Sequence, residues 1–216
     1  MIVGGSDGLG KELVREVFMK GALITIVGKD EKKLIEIQKE LDPADNKGDP
    51  LIRYFKADVT NMEGHEVEKL IRQAEKYLGS IEMFVYCAAK SEPVMFVSSD
   101  LNKFKSHMDL NFYSVVKFLL PITKRMVLRK TQGRICIVGD SMGTMKTVPG
   151  MTPYACSKSA LEQLAMQLRS ELEAHQIRVH YLLPPPMETQ FLKAQRAVYP
   201  QPTKNLLKNQ RYTKPN

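Results

Sequence analysis

Short runs of apolar residues alternate along this chain with longer stretches in which apolar side chains recur every three or four positions. The runs at 1–4, 22–28, 51–57, 81–86, 134–139 and 177–183 have the length and branched-residue content of strands. Between them, Leu13, Val14, Val17 and Phe18 share one face of a helix over 11–20, and Leu34, Ile35, Ile37 and Leu41 share one face of a second over 31–41. The same reading predicts helices over 61–78, from about 106 to 129, and over 154–174. Strands that are apolar on both faces must be covered on both sides, so the pattern predicts a doubly wound α/β fold around a parallel sheet. No internal repeat or linker interrupts it. The polar segment 41–50, with Pro43 and Pro50, reads as a surface turn rather than a domain boundary.

Composition narrows the class. A chain of 216 residues and 24.5 kDa suits one domain with a continuous core. Its 43% hydrophobic and 26% charged residues exclude disordered and disulfide-scaffold proteins. Its apolar stretches fall short of the roughly 20 residues that a membrane span needs. The start of the chain shows no secretory signal, so it is expected to face the cytosol. Cys87, Cys136 and Cys156 are odd in number, widely spaced and set among small or apolar neighbours, which points to buried thiols and not to a disulfide or a zinc site. The net charge is +8. It is concentrated after residue 192, where Lys193, Arg196, Lys204, Lys208, Arg211 and Lys214 stand without an acidic residue. The nearly balanced body therefore argues against a nucleic-acid surface. Residues 1–192 are read as the domain and 193–216 as a basic tail that is disordered, part of a substrate lid, or in contact with an anionic membrane surface.

Chemistry first shows itself at Gly4-Gly5-Ser6-Asp7-Gly8-Leu9-Gly10, between the first strand and the first helix. Glycines at these positions allow a tight turn and close approach of the backbone to a diphosphate, while the helix N-terminus offers amide donors. A glycine string in this setting is a dinucleotide signature. Lys29, at the end of the second strand, favours a cofactor with a 2′-phosphate over one without, hence NADP(H), although Asp7 opposes a phosphate if it points that way. Asp58 after the third strand can accept from an adenine amino group or, alternatively, cap the helix near Asn61. Tyr154 and Lys158, four residues apart at the start of a helix, share one face, so the cation is expected to favour the phenolate and lower the phenol's pKa. Ser141 lies just past the fifth strand, at the edge to which Tyr154 belongs, and Asn111 lies in the preceding long helix.

Over 1–192 the chain resembles the short-chain dehydrogenase/reductase family, single-domain proteins of the Rossmann fold. The family's Thr-Gly-x-x-x-Gly-x-Gly loop is matched by Gly4, Gly8 and Gly10, with Val3 in place of the threonine. Its Asn, Ser, Tyr and Lys tetrad is matched by Asn111, Ser141, Tyr154 and Lys158. The resemblance implies that Tyr154 donates a proton to a carbonyl, Lys158 holds the nicotinamide ribose, Ser141 polarises the carbonyl and Asn111 supports a proton relay through water. It further implies cofactor contacts from Ser6 and Leu9 in the loop, Lys29, Asp58 and Val59 after the next strands, and Ala88, Pro184 and Thr189 beyond. Within the family, segments 4–11, 21–27, 30–34, 71–79 and 133–135, and the pair Pro184-Pro185, are similar to the 3-ketodihydrosphingosine reductases. That likeness implies NADPH-dependent reduction of a lipid-like ketone at the cytosolic face of the endoplasmic reticulum; the wider family resemblance implies a homo-oligomer, and the charge balance and cysteine spacing lead to the expectation of no nucleic-acid partner and no metal. Against the family pattern the chain is expected to be truncated at both ends. Two other readings stay open: a reductase of a steroid, fatty acyl or small polar ketone, and a non-catalytic nucleotide-binding or interaction protein.

Overall fold

Strand β1 (Ile2–Val3) is two residues long yet sits in the middle of the sheet, with Ile2 opposite Ile26 on one side and Val85 on the other. A computed structural model of the chain describes residues 1–42, 50–141 and 147–208. Among these, β1 is followed by α1 (Gly8–Met19), β2 (Ile24–Gly28), α2 (Glu31–Leu41), β3 (Ile52–Lys56), α3 (Gly64–Leu78) and β4 (Met83–Tyr86). The second half runs α4 (Leu101–Met108), a π-helical turn (Asp109–Tyr113), α5 (Ser114–Arg129), β5 (Arg134–Val138), α6 (Thr152–Glu173), β6 (Arg178–Leu182), α7 (Gln190–Ala197) and α8 (Gln201–Leu207).

All strand pairs are parallel and the order is β3-β2-β1-β4-β5-β6. The inner strands β1, β2 and β4 are buried on both faces, so each face needs a helical layer. Val14 of α1 and Leu34 and Ile37 of α2 pack on one side with Ile24, Ile26 and Ile52. On the other, Val67 and Ile71 of α3, Val115 and Phe118 of α5, and Leu161 and Ala165 of α6 pack on Phe84, Ile135 and Ile137. The chain reverses its direction across the sheet between β1 and β4, and a crevice opens there at the carboxyl ends of the strands.

The expected elements are present with shifted ends. Helix α3 starts at Gly64, not 61, because Glu63 and Glu66 form a reciprocal capping box. The long helix expected from 106 begins earlier, where Asp100 accepts from Lys103 N, and is broken by the π turn into α4 and α5. The boundary expected after 192 falls inside α7, and helices α7 and α8 carry residues 193–197 and 201–207 of the expected tail: Leu192, Gln195, Tyr199 and Thr203 are buried. Residues 209–216 of the expected tail, and most of the expected turn at 41–50, lie outside the described residues. The cysteines are not a set of buried thiols, since Cys156 is exposed on α6 and Cys87 and Cys136 are half-buried.

Candidate active site

The turn from β1 to α1 admits only small residues. Gly4 and Gly8 have φ of 78° and 51°, and a methyl group on Gly10 would lie 2.1 Å from the carbonyl oxygen of Gly4. Gly4 also approaches the strand-end at Ala88, whose amide nitrogen would stand 2.5 Å from a methyl at Gly4. This compression sets the amides at the start of α1 against the crevice. Asp7 caps the helix: Oδ1 accepts from Gly8 N at 2.7 Å, and Oδ2 accepts from the Lys33 ammonium at 2.5 Å. Partial burial opposes its ionisation, but the bonds from Lys33 and Gly8 outweigh it and hold the carboxyl below its usual range. The carboxylate that stood to repel a phosphate is thus paired.

One cavity of about 960 Å³ runs along the carboxyl edge of the sheet. Gly4, Ser6, Gly8, Leu9 and Gly10 line one end with Lys29, Asp58 and Val59. Ala88, Ser141, Tyr154, Lys158, Pro184 and Thr189 line the remainder. Asp58 accepts from Thr60 N at 3.1 Å and leaves the capping of α3 to Glu63, so its alternative as a helix cap does not hold. Thr189 caps α7 through Leu192 N and faces Gly8, whose added methyl would lie 3.2 Å from the threonine methyl.

Tyr154 and Lys158 occupy the first turns of α6, both buried and on the face toward β5. Their electrostatics differ from the expectation. The Lys158 ammonium donates to the Val138 carbonyl at 3.0 Å and stands 5.8 Å from the centre of the Tyr154 ring. The Tyr154 hydroxyl donates instead to Asp140 Oδ2 at 2.8 Å. Burial, with the neighbouring carboxylate adding to it, pushes the phenol well above its ordinary pKa, where the spacing alone had implied a lowering. Burial also pulls the Lys158 ammonium down to about 8. Cys87, which lines the cavity, is pushed up to about 12 by burial and is a thiol at neutral pH.

Asn111 is not brought into the cavity. It lies buried in the π turn, where Oδ1 accepts from Lys90 N at 2.9 Å and Nδ2 donates to Lys90 O at 3.0 Å and to Ser157 Oγ at 2.9 Å. It ties the segment after β4 to α6, one layer behind Tyr154.

The residues 1–199 match the family described as short chain dehydrogenase. The chain belongs to that family. It is 31% identical to the 3-dehydrosphinganine reductase of Danio rerio over 94% of this chain and 60% of the relative. To the 3-ketodihydrosphingosine reductase of Mus musculus it is 28% identical over 100% of this chain and 64% of the relative. The chain therefore spans less than two thirds of the length of either. Among solved structures, the 3-ketoacyl-(acyl-carrier-protein) reductase of Brucella melitensis, complexed with NADH, superposes with a TM-score of 0.80 at 20% identity, covering 99% of this chain and 84% of that one. This likeness shows the fold.

For a short-chain dehydrogenase of this sequence, the spacing of motifs missed four groups. Asp140 precedes Ser141 and accepts the hydrogen bond of the Tyr154 hydroxyl. His107, one helical turn before Asn111, accepts from Glu92 N on Nε2 at 3.1 Å and holds its Nδ1 proton toward the Lys103 carbonyl at 2.7 Å, so it is neutral, and burial keeps its pKa below the usual value. Glu92 is ion-paired with Lys90 at 3.0 Å and Lys103 at 2.7 Å. Gln195 reaches the cavity from α7, in the stretch read as tail. Only the four-residue spacing of His107 and Asn111 on one helix face was visible in the sequence.

Proposed function

We propose that the chain carries the site of an NADPH-dependent carbonyl reductase acting on a 3-keto sphingoid base. The supporting observation is that Tyr154 and Lys158, buried one helical turn apart, open onto the same cavity as the glycine turn and the amide end of α1. That donor set suits a dinucleotide: helix amides for the diphosphate, Asp58 for the adenine amino group, and Lys29 for a 2′-phosphate, with Asp7 neutralised by Lys33. When bound, a reduced nicotinamide supplies a hydride to the carbonyl carbon. Tyr154 then gives its hydroxyl proton to the carbonyl oxygen as the C=O electron pair moves onto that oxygen, and Ser141 donates to the same atom. Lys158 holds the ribose. Asn111 keeps the wall after β4 in register. The names of the two relatives supply the substrate class, and Phe191, Leu192, Leu206 and Leu207 give the cavity an apolar side that suits a long chain.

No described helix is long and apolar enough to cross a membrane. Contact with an anionic membrane surface through the cations of α7 and α8, a place on the endoplasmic reticulum, and pairing of two copies through the outer faces of α5 and α6 belong to the same proposal. There Leu120, Leu128 and Met166 are exposed.

The test follows NADPH absorbance with 3-ketodihydrosphingosine and a panel of simpler ketones, for the wild type and Tyr154→Phe. The variant is expected to lose roughly a hundredfold or more in rate, the scale of a lost general acid. Equal rates in the two proteins overturn the proposal.

A further inference from the structure

Helix α7 carries a buried amide into the substrate end of the cavity. Gln195 is 3% exposed, one helical turn beyond Phe191, whose ring centre is 6.4 Å from that of Tyr154. Its Nε2 donates to Ser91 Oγ at 2.7 Å and its Oε1 accepts from the Tyr199 hydroxyl at 2.7 Å. Tyr199 in turn packs with Met151 and Tyr154. A carboxamide has two N–H groups and two acceptor lone pairs. Each of these bonds uses one, so the fixed amide keeps one donor and one acceptor in a cavity that it lines.

We propose that Gln195 is a specificity-determining residue that hydrogen-bonds a hydroxyl or amino group borne close to the carbonyl that Tyr154 protonates. This rests on the reductase reading of the same site. The chemistry decides between amide and carboxylate as the recognising group. Glu92 lines the cavity too, but Lys90 and Lys103 hold its two oxygens, and the three side chains together carry a net positive charge. That cluster does not attract an ammonium. A neutral amide that can both donate and accept serves a hydroxyl or an uncharged amine equally. Phe191, Leu206 and Leu207 on α7 and α8, with Val148, offer only apolar contact. The cavity is thereby sorted into a polar end for a small head group and an apolar side for an alkyl chain. A ketone without the head group leaves the buried amide half paired, which selects against it more strongly than loss of an apolar contact does.

The experiment compares two ketones in mixed micelles with NADPH: 3-ketodihydrosphingosine, and 3-octadecanone, which has the same chain and carbonyl but neither amine nor hydroxyl. The wild type is expected to prefer the first by roughly ten- to a hundredfold in kcat/KM. Gln195→Leu is expected to bring that ratio to near one. Gln195→Glu keeps the shape and the acceptor for Tyr199 and replaces the free donor by charge, so its ratio should change and become pH-dependent as the substrate amine titrates. Turnover of both ketones at equal efficiency by the wild type, or an unchanged ratio in Gln195→Leu, overturns the assignment of Gln195 and leaves the reductase reading standing. Should Gln195→Leu lose both activities, the ratio in Gln195→Glu decides, and an unchanged value there rejects the assignment. Turnover of neither ketone by the wild type rejects both readings.

Discussion

The hydroxyl of Tyr154 donates to Asp140 Oδ2 at 2.8 Å, while the Lys158 ammonium, one helical turn along α6, donates to the Val138 carbonyl at 3.0 Å. Two groups read from the sequence as partners each bond first to β5 or the residues just beyond it. Burial and the Asp140 charge both favour the neutral phenol, and the phenols of Tyr181 and Tyr199 add to the effect when ionised. The phenol therefore stays protonated across the neutral range. Asp140→Asn keeps an oxygen to accept the hydrogen bond and removes the charge, so Tyr154 is expected to ionise at lower pH. Tyrosinate absorbance, with the matching titration of Tyr154→Phe subtracted, measures this. Coincident curves for wild type and Asp140→Asn contradict the role given to the carboxylate.

Lys158 makes a separate prediction about stability. Its ammonium is held at about 8 by burial, against 10.5 for the unperturbed group. Between those values the unfolded chain binds a proton that the folded chain does not, so stability rises with pH through this window and the gain is absent below about pH 8. The increment is on the order of 3 kcal/mol. Lys158→Met keeps the apolar stem and removes the titration. Denaturant unfolding of the apoprotein at a series of pH values should show the rise in wild type and not in the variant. Tyr154 acts with the opposite sign at higher pH. Its unfolded form ionises from about 10 upward while the folded phenol stays neutral, so stability falls there as pH rises.

The inner strands were legible because β1, β2 and β4 are short apolar runs buried on both faces, the pattern of a covered parallel sheet. Their ends were less so, since Glu63 and Asp100 set helix starts through local bonds that hydrophobic periodicity does not register. Helices α7 and α8 were invisible for a related reason. Two of the positions they bury are the polar Gln195 and Thr203, held by hydrogen bonds to Ser91 and to the Pro149 carbonyl, and the prolines at 200 and 202 mark the second helix start rather than a tail. In the site, the spacing of Tyr154 and Lys158 placed both on one face but could not say where the ammonium turns. Asp140 meets Tyr154 only through the packing of α6 against β5.

In the proposed reading, cofactor preference rests on Lys29. Lys33, in the first turn of α2, is spent on Asp7, which leaves Lys29, just past β2, as the cation proposed to meet a 2′-phosphate. Lys29→Asp replaces that cation by a carboxylate able to accept from ribose hydroxyls. NADPH affinity is expected to fall by roughly ten- to a hundredfold, the scale of one charge-assisted contact reversed in sign, while NADH affinity holds or rises. Titration calorimetry with each dinucleotide checks it, and a parallel loss of both would refute the assignment.

The glycine turn offers the sharpest steric prediction. A methyl group on Gly10 lands 2.1 Å from the backbone oxygen of Gly4 and 3.1 Å from the Cα of Gly5. Neither atom can swing aside as a side chain could, because Gly4 N donates to Val27 O at 2.8 Å and Cys87 N donates to Val3 O at 2.8 Å, fixing the turn to both neighbouring strands. Relief must come from moving α1 away from β1, which opens the packing of Val14 on Ile26 and tilts the amide end of the helix out of the cavity. Gly10→Ala is thus expected to cost about 1 to 3 kcal/mol, in the range of overpacking a rigid site, and to weaken dinucleotide binding at the same time. Gly64 supplies the contrast: it opens α3, nothing lies within 4 Å of an added methyl, and its φ is not positive. There alanine relieves only the entropy of the unfolded chain, so Gly64→Ala should raise stability by about 0.5 to 1 kcal/mol and leave binding untouched. Paired thermal melts with and without NADPH distinguish the two. A Gly10→Ala protein that melts like wild type and keeps the NADPH-induced stabilisation would show that α1 can shift without cost, and that the turn is not what holds the amides in place.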